Sequence, residues 1–356
     1  MRLVSEVALA NIRQVANEAG VSIGTVSRVL NNKPGVGEQT RQHILSVAKE
    51  LGYIPSKRSA SSNSQVTHLG ILSPTFQPDD ITSNPFYSAV FHGVEHICHE
   101  LRINLSYSSL RFTDTQLHSY PFVVKHTHID GLLFVGGSIP LAIVEALVAS
   151  TPLPLVLVDN YFPDRNWDAV MIDNTRGVRL STEHLINQGH RYIALIGGPD
   201  HPSIVERRLS YCETLRRHGL TPVIVTPPDL SPADGQCGVV EILRESPETT
   251  AIICSNDEQA VGALRKLREL GYSVPDDFSL VGFDNINMVQ FTTPPITTVC
   301  VDRDTMGQIA VQLLLDRVKS PERPIIKVTI GVELIERGSV GTPRSHKISL
   351  AAINED

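Results

Sequence analysis

The sequence predicts an N-terminal all-α headpiece followed by an α/β body built as two doubly wound lobes. Three observations predict it. Residues 11–56 carry helix-period apolar patterning punctuated by glycine and proline, residues 57–67 (KRSASSNSQVT) are polar and serine-rich, and from His68 short apolar runs alternate with amphipathic stretches. At 356 residues the chain is too long for one small domain and ample for a headpiece plus a large core.

In the first segment Ile12, Val15, Ala16 and Ala19 recur at helical spacing, and Gly20 tolerates the positive φ at which this helix must stop. Ser22 caps a second helix, about residues 23–31, that turns Val26, Val29 and Leu30 inward and leaves Ile23, Gly24, Thr25, Ser27 and Arg28 outward. Asn32-Lys33-Pro34-Gly35 is a strong break, and Ile44, Val47, Ala48 and Leu51 line a third helix that closes a small core. Two short helices joined by a tight turn and braced by a third make a helix-turn-helix, whose second helix lies in the major groove of DNA. Arg28 can then make a two-pronged bond to the O6 and N7 edge of guanine, while Ser22, Thr25, Ser27 and Asn31 suit phosphate oxygens. Thr40 and Tyr53 complete the expected DNA-binding set. A small bundle without a nucleic-acid role is the alternative, but outward Ser, Thr and Arg at this spacing serve no core purpose.

The net charge of −7 argues superficially against a nucleic-acid partner. Its distribution argues the other way: residues 1–58 carry eight Lys/Arg against four Glu, net +4, which leaves −11 for the remainder. A basic head on an acidic body suits phosphate contact at one end and keeps the body off DNA. Cys98, Cys212, Cys237, Cys254 and Cys300 form no C-x-x-C pair and are odd in number, which reads as reduced thiols of a cytoplasmic protein. No apolar run approaches the roughly 20 residues of a membrane helix, so no membrane partner is expected. Ala8-Leu9-Ala10 has the form of a signal-peptidase site, but Ser5 and Glu6 interrupt an apolar segment that is far too short. Residues 1–10 therefore read as a leader ahead of the first helix.

In the body HLGILSP, INLSYSSL, IDGLLFVGG, LPLVLVDN, YIALIGGP, PVIVTPP, AIICSND and SLVGFDN read as strands. Continuous apolar strands with amphipathic helices between them imply parallel sheets covered on both faces. The body is expected over 68–340, with PPITTVCVDRDTMGQIAVQLLLDRV leading the chain back between lobes. The expected lobes are about 68–160 plus 296–325, and 161–290 plus 326–340, with a linker at 57–67 and an unassigned tail at 341–356.

Ligands of open α/β sheets bind beyond the carboxyl ends of strands, so the informative residues follow the apolar runs. These are Asn84, Phe86 and Tyr87 after the first strand, Asp159 and Asn160, Asn256 and Asp257, and Asp284 with Asn285, while SIVERRLSY adds Arg207. Carboxylates and amides bond paired hydroxyls, an arginine forks onto ring and hydroxyl oxygens, and aromatic faces cover the apolar face of a sugar. The competing reading is that the Asp and Asn residues cap the helices that follow them.

VSIGTVSRVLNNKPGVGEQTR and the following ELGYIPS resemble the headpiece of the LacI/GalR (lactose-repressor) family of bacterial transcription regulators. The likeness runs through the second helix, the loop, the third helix and the Tyr53-Ile54-Pro55 exit, and the body resembles the periplasmic sugar-binding proteins on which that family's effector domain is patterned. The resemblance implies that Ile23 and Gly24 help set operator preference and that Arg28 reads a base. Neither Ile23 nor Gly24 offers a side-chain hydrogen bond, so readout there would be apolar or by shape. It also implies that Asn84, Phe86, Tyr87, Asp159, Asn160, Arg207, Asn256 and Asp284 are effector contacts. Val301 stands where several sugar-binding relatives place a Gln, which would remove one hydrogen-bond pair from the pocket, and Ser210 stands where the family has a Gly. In the family the linker forms a hinge helix on DNA and wedges a Leu into the minor groove; that position is Ser62 here, so less kinking or an unfolded hinge is expected, with a plain tether as the alternative.

His92-Gly93-Val94-Glu95-His96 spells H-x-x-E-H, an inverted zinc-protease signature, with Cys98 and His99 close by. The segment falls on the helix that the α/β repeat requires after Asn84-Pro85-Phe86-Tyr87, with Val90, Val94 and Ile97 as its buried face. Its histidines are expected on the solvent side and no metal or cofactor is expected. No phosphate loop, nicotinamide fingerprint or G-x-S-x-G elbow occurs. The sequence reads as a non-enzymatic, homodimeric regulator, most simply a repressor, that binds a pseudo-palindromic operator in double-stranded DNA and senses a small-molecule effector, sugar or nucleoside-like. A solute-binding module with an idle headpiece is the alternative.

Overall fold

The computed structural model describes residues 12–30, 35–51, 66–74, 84–113, 116–126 and 128–345. The leader 1–10, Asn31, Tyr53, the linker as far as Gln65 with Ser62, and the tail beyond 345 lie outside the described residues, as does the side chain of Ser27. The chain divides into two compact units, residues 1–65 and 66–356.

The first unit holds α1 (Ile12–Glu18), α2 (Ile23–Leu30) and α3 (Glu38–Glu50). Gly20 sits between α1 and α2 at φ +65°, the left-handed conformation that costs glycine nothing. Ser22 starts α2 by accepting from the Thr25 amide through its hydroxyl at 3.1 Å. Val15, Ala16, Ala19, Val26, Val29, Ile44, Val47 and Ala48 form one buried cluster. Leu51 departs from expectation: it is 37% exposed and outside that cluster. The apolar stripe of the 13-residue α3 runs past the point where α1 and α2, seven and eight residues long, can cover it.

The second unit begins with β1 (His68–Pro74), α4 (Pro85–Leu101), β2 (Asn104–Leu110), a hairpin of β3 (Phe112–Thr113) and β4 (Gln116–Leu117), and α5 (Phe122–His126). It continues through β5 (Gly131–Val135), α6 (Leu141–Ser150), β6 (Leu155–Val158), β7 (Asp168–Ile172), α7 (Asn174–Asn187), β8 (Ile193–Ile196), α8 (Pro202–Arg217) and β9 (Val223–Val225). Then come α9 (Pro232–Glu245), β10 (Ala251–Cys254), α10 (Asp257–Glu269), β11 (Ser279–Asp284), a 3-10 turn (Asn287–Gln290), β12 (Thr297–Val301), α11 (Arg303–Lys319), β13 (Lys327–Ile330) and β14 (Val332–Ile335).

Every strand expected from the apolar runs is present. They form two six-stranded sheets in the orders β13-β7-β6-β5-β1-β2 and β14-β12-β11-β10-β8-β9. All pairings within them are parallel except β12 with β14. Both sheets have the doubly wound order, with a switch point between β1 and β5 in one and between β8 and β10 in the other. No helix among the described residues is long and apolar enough to cross a membrane.

The expected lobe boundaries need correction. β7 joins the first sheet rather than the second lobe, β12 joins the second sheet rather than the first, and β13 lies beside β7 in the first. The chain therefore crosses between lobes three times: from β7 to α7, from β12 to α11, and from β13 to β14. α11 returns to pack against α4 and against β5, β6 and β7. That packing is close: a Cβ placed on Gly93 would stand 2.0 Å from the Asp304 carbonyl oxygen, and one on Gly307 2.2 Å from that of Val90.

β7 escaped notice because it opens on a charge, and a carboxylate ordinarily marks the end of a buried run. Asp168 is fully buried, and its carboxylate accepts from Arg317 Nε at 2.7 Å and Nη2 at 2.9 Å, from Arg323 Nη2 at 2.8 Å and from the Ile326 amide at 2.8 Å. Burial alone would raise this carboxyl, but Arg317, the Ile326 amide and Arg323 outweigh it and hold it below the usual carboxylate range. The cluster ties the end of α11 and the loop after it to the start of β7.

Candidate functional site

On the headpiece, α2 buries Val26 and Val29 and presents its other face. Ile23 is 45% exposed, Ser22, Gly24 and Arg28 are exposed, Thr25 is half-buried, and Thr40 on α3 is exposed. Ser22 and Thr25 also bond each other, Oγ to Oγ1 at 2.8 Å, so capping and any phosphate contact share these hydroxyls. One residue that sequence reasoning missed is Arg41, which donates to the Val29 carbonyl at 3.5 Å and so places a cation at the C-terminal end of α2. Charge-to-dipole complementarity would have suggested it had the packing of α3 on α2 been known.

In the body a cleft lies at the carboxyl ends of both sheets, beside both switch points. Asn84, Phe86, Tyr87, Asp159, His201, Ser203, Arg207, Leu230, Asn256, Glu258 and Asp284 line it. Seven of the nine expected effector residues are thereby brought together: Asn84, Phe86, Tyr87, Asp159, Arg207, Asn256 and Asp284. Chain order separates them by up to 200 positions, and the strand ends reunite them.

Asn84 caps α4, accepting from the Phe86 and Tyr87 amides at 2.9 and 3.1 Å, and Asn256 caps α10, accepting from the Gln259 amide at 2.9 Å. Both carry out the capping role while facing the cleft. The Tyr87 hydroxyl donates to Asp159 Oδ2 at 2.8 Å and accepts from the Gly137 amide at 2.9 Å. Burial and the neighbouring Asp159 raise the Tyr87 phenol well above its ordinary range, so it stays a donor. Asp159 also accepts from the Ser203 hydroxyl at 2.9 Å, a bond between the lobes.

Arg207 is buried and heavily engaged. Its Nε donates to Asn174 Oδ1 at 2.8 Å, Nη1 donates to the Ser255 carbonyl, and the guanidinium lies 3.6 Å above the centre of the Phe283 ring. Its Nη2 stands 3.7 Å from Asp284 Oδ1, beyond hydrogen-bond distance, and that buried oxygen accepts no hydrogen bond among the described residues. Asp284 is held at φ +106° and Asp159 at φ +57°, left-handed conformations that a non-glycine residue adopts at a cost. Burial pushes the Asp284 carboxyl well above its usual value, against the opposing pull of Arg207. His201 Nδ1 is likewise buried without a partner among the described residues, and burial lowers that imidazole. An open acceptor on Asp284, an imidazole nitrogen and a guanidinium around one cleft suit a ligand carrying several hydroxyls or amides.

Two expected contacts lie elsewhere. Asn160 is buried at 1% exposure and donates through Nδ2 to the Gly136 and Ile139 carbonyls, so it secures the loop after β5 and does not line the cleft. Val301 is 2% exposed within the main hydrophobic core, at the last position of β12, which explains an apolar residue there without reference to a ligand. Asp257 is a structural acceptor: its two oxygens take the Thr298 hydroxyl at 2.6 Å and the Ile286 amide at 2.8 Å, and burial pushes it up to about 7. Sequence reasoning missed His201, Ser203, Leu230 and Glu258 as lining residues. His201 and Ser203 follow β8, where the same strand-end rule pointed, but neither stands directly against the apolar run.

The H-x-x-E-H segment lies on α4 with His92 and His96 exposed. His92 Nδ1 is 2.6 Å from Asp304 Oδ1 and His96 Nε2 3.8 Å from Glu100 Oε1. Among the described residues no three His, Cys, Asp or Glu side chains are grouped to hold a metal ion.

Residues 11–56 match the family described as bacterial regulatory proteins, lacI family, and residues 182–340 match a periplasmic binding protein-like domain. The ribose operon repressor of Haemophilus influenzae is 31% identical over 318 residues, 88% of this chain and 93% of that one. The HTH-type transcriptional repressor PurR of Aliivibrio fischeri is 31% identical over 342 residues, 93% of this chain and 98% of its own. Among solved structures, the lac repressor dimer bound to operator and the anti-inducer ONPF has a TM-score of 0.68 at 26% identity, covering 94% of this chain and all of that one. These relatives are repressors and not enzymes.

Proposed function

Because the chain belongs to the lacI family of bacterial regulatory proteins, we propose that it is a cytoplasmic, homodimeric repressor whose operator binding is set by a small hydroxylated metabolite in the cleft. The observation that carries this reading is the convergence of Asp159, Arg207, Asn256 and Asp284 from both lobes around one cleft whose Asp284 Oδ1 and His201 Nδ1 have no hydrogen-bond partner among the described residues. A ligand that satisfies those atoms binds one lobe arrangement better than another, and only such a difference can alter DNA affinity. The −11 body and +4 head orient the molecule on DNA, and two headpieces related by a twofold axis would read a pseudo-palindrome.

The effector reading is tested by thermal-shift measurements against pentoses, hexoses, nucleosides and sugar phosphates, with Arg207→Ala alongside. A ligand at 100 times its dissociation constant stabilises the native state by about 2.7 kcal/mol. We expect a neutral hydroxylated compound to raise the melting temperature and Arg207→Ala to abolish the shift. A shift that persists undiminished in the variant places the ligand elsewhere.

The dimer reading rests on an exposed apolar surface in the second lobe. Phe291 is 79% and Met288 56% exposed, and Phe291 borders a groove lined by Val261, Leu264, Arg265 and Arg268. An apolar patch rimmed by charge is the form of a self-association surface. Phe291→Asp should convert a sedimenting dimer to monomer. A wild-type protein that sediments as a monomer at micromolar concentration contradicts the proposal.

A further inference from the structure

Arg207 is held by a polar relay that begins in the other lobe. Tyr161, in the first lobe beyond β6, donates its hydroxyl to Glu206 Oε1 on α8 at 2.6 Å. The other oxygen, Glu206 Oε2, accepts from Asn174 Nδ2 at 2.9 Å, and Asn174 Oδ1 accepts from Arg207 Nε at 2.8 Å. Asn174 is 2% exposed at the first crossover between lobes, and its Nδ2 also faces the Ile172 carbonyl at 3.3 Å. Two acceptors therefore face the amide nitrogen and one donor faces the amide oxygen, so the side chain cannot flip without breaking all three contacts. Lys327, on β13, stands 5.7 Å from the centre of the Tyr161 ring and steadies it from the first-lobe side.

We propose that Tyr161 and Glu206 are positioning residues for the effector-binding arginine, a latch between the lobes that transmits their closure to Arg207 through Asn174. The inference rests on the cleft being the effector site. When the lobes are together, both oxygens of Glu206 are taken and the Asn174 amide is locked with its oxygen toward Arg207 Nε. When the lobes part, Tyr161 leaves, one oxygen of Glu206 is freed, and the carboxylate can turn and draw the Asn174 amide with it. The arginine that must bond the ligand is then properly set only in the closed arrangement, which makes ligand affinity depend on closure. Burial and the bond to Glu206 push the Tyr161 phenol up to about 12, so the latch keeps its donor at neutral pH.

The test is amide hydrogen exchange on the full-length, ligand-free protein, read at Asn84–Tyr87 and Ser203–Arg207, two cleft segments on opposite lobes. Tyr161→Phe removes one hydroxyl and nothing else. A hydrogen bond to a charged acceptor is worth enough that its loss should raise exchange about tenfold at both segments. Glu206→Leu, which removes both acceptors, should do the same. Combining Tyr161→Phe with Glu206→Leu should raise exchange no further than Glu206→Leu alone, because the two residues act through one chain of bonds. Residues with a merely structural role would give a double variant worse than either single change. Unchanged exchange in Tyr161→Phe, or a double variant that exceeds Glu206→Leu by the full effect of Tyr161→Phe, overturns the proposal. Because no effector enters this measurement, its failure is distinct from a failure of the effector screen.

Discussion

Replacing Asp168 by alanine lowers the unfolding free energy by about 3–5 kcal/mol, the cost of leaving buried cations without their counter-charge. Asp168 has no exposed side-chain surface, and Arg317 and Arg323 are 11% and 13% exposed, so water cannot take over the role of the carboxylate. The Ile326 amide loses its acceptor in the same step. We expect the urea unfolding midpoint to fall sharply and the loop after α11 to become protease-sensitive. Because the folded carboxyl is held below its unfolded value of about 3.9, its stabilisation is complete above that pH and is lost as pH falls through the folded value. The gap between wild type and Asp168→Asn should therefore be constant near neutrality and close only in acid. A gap that widens on acidification would mean that the cluster does not act through the carboxylate charge.

Arg28→Ala should weaken operator binding by about 1–3 kcal/mol and relax the preference at one base pair of each half-site. Arg28 is exposed on α2, whose opposite face is anchored in the headpiece core by Val26 and Val29, so the substitution removes a probe without disturbing its platform. Selection from a randomised palindromic library, run in parallel for wild type and variant at one salt concentration, reads both effects. Thr40→Ala, which removes an exposed hydroxyl on α3 of a kind that suits a phosphate oxygen, should instead weaken all sequences alike. If the two proteins select the same sites with equal stringency, Arg28 does not read a base.

Much of the body was legible because buried parallel strands are continuous apolar runs, and the rule that ligands gather beyond their carboxyl ends located Asn84, Tyr87, Asp159, Asn256 and Asp284. The rule failed at Asn160, and the family resemblance at Val301, because each specifies a position along the chain and not the direction of a side chain. Asn160 turned toward the Gly136 and Ile139 carbonyls, and Val301 turned into the core. Capping and ligand binding compete as readings of Asn84 and Asn256 in the sequence, whereas in the fold each residue caps its helix while lining the cleft.

Local periodicity by itself determined the helix-turn-helix, the α/β class and the strand ends, since each depends on neighbours within one helical turn or one strand. Only the tertiary structure decided which lobe each of β7, β12 and β13 joins, that a buried Asp168 is compensated by arginines some 150 positions away, and that Tyr161 reaches Arg207 through Glu206 and Asn174. Those outcomes rest on charge pairing and hydrogen bonding between residues remote in the chain, and such pairings leave no periodic trace in the sequence.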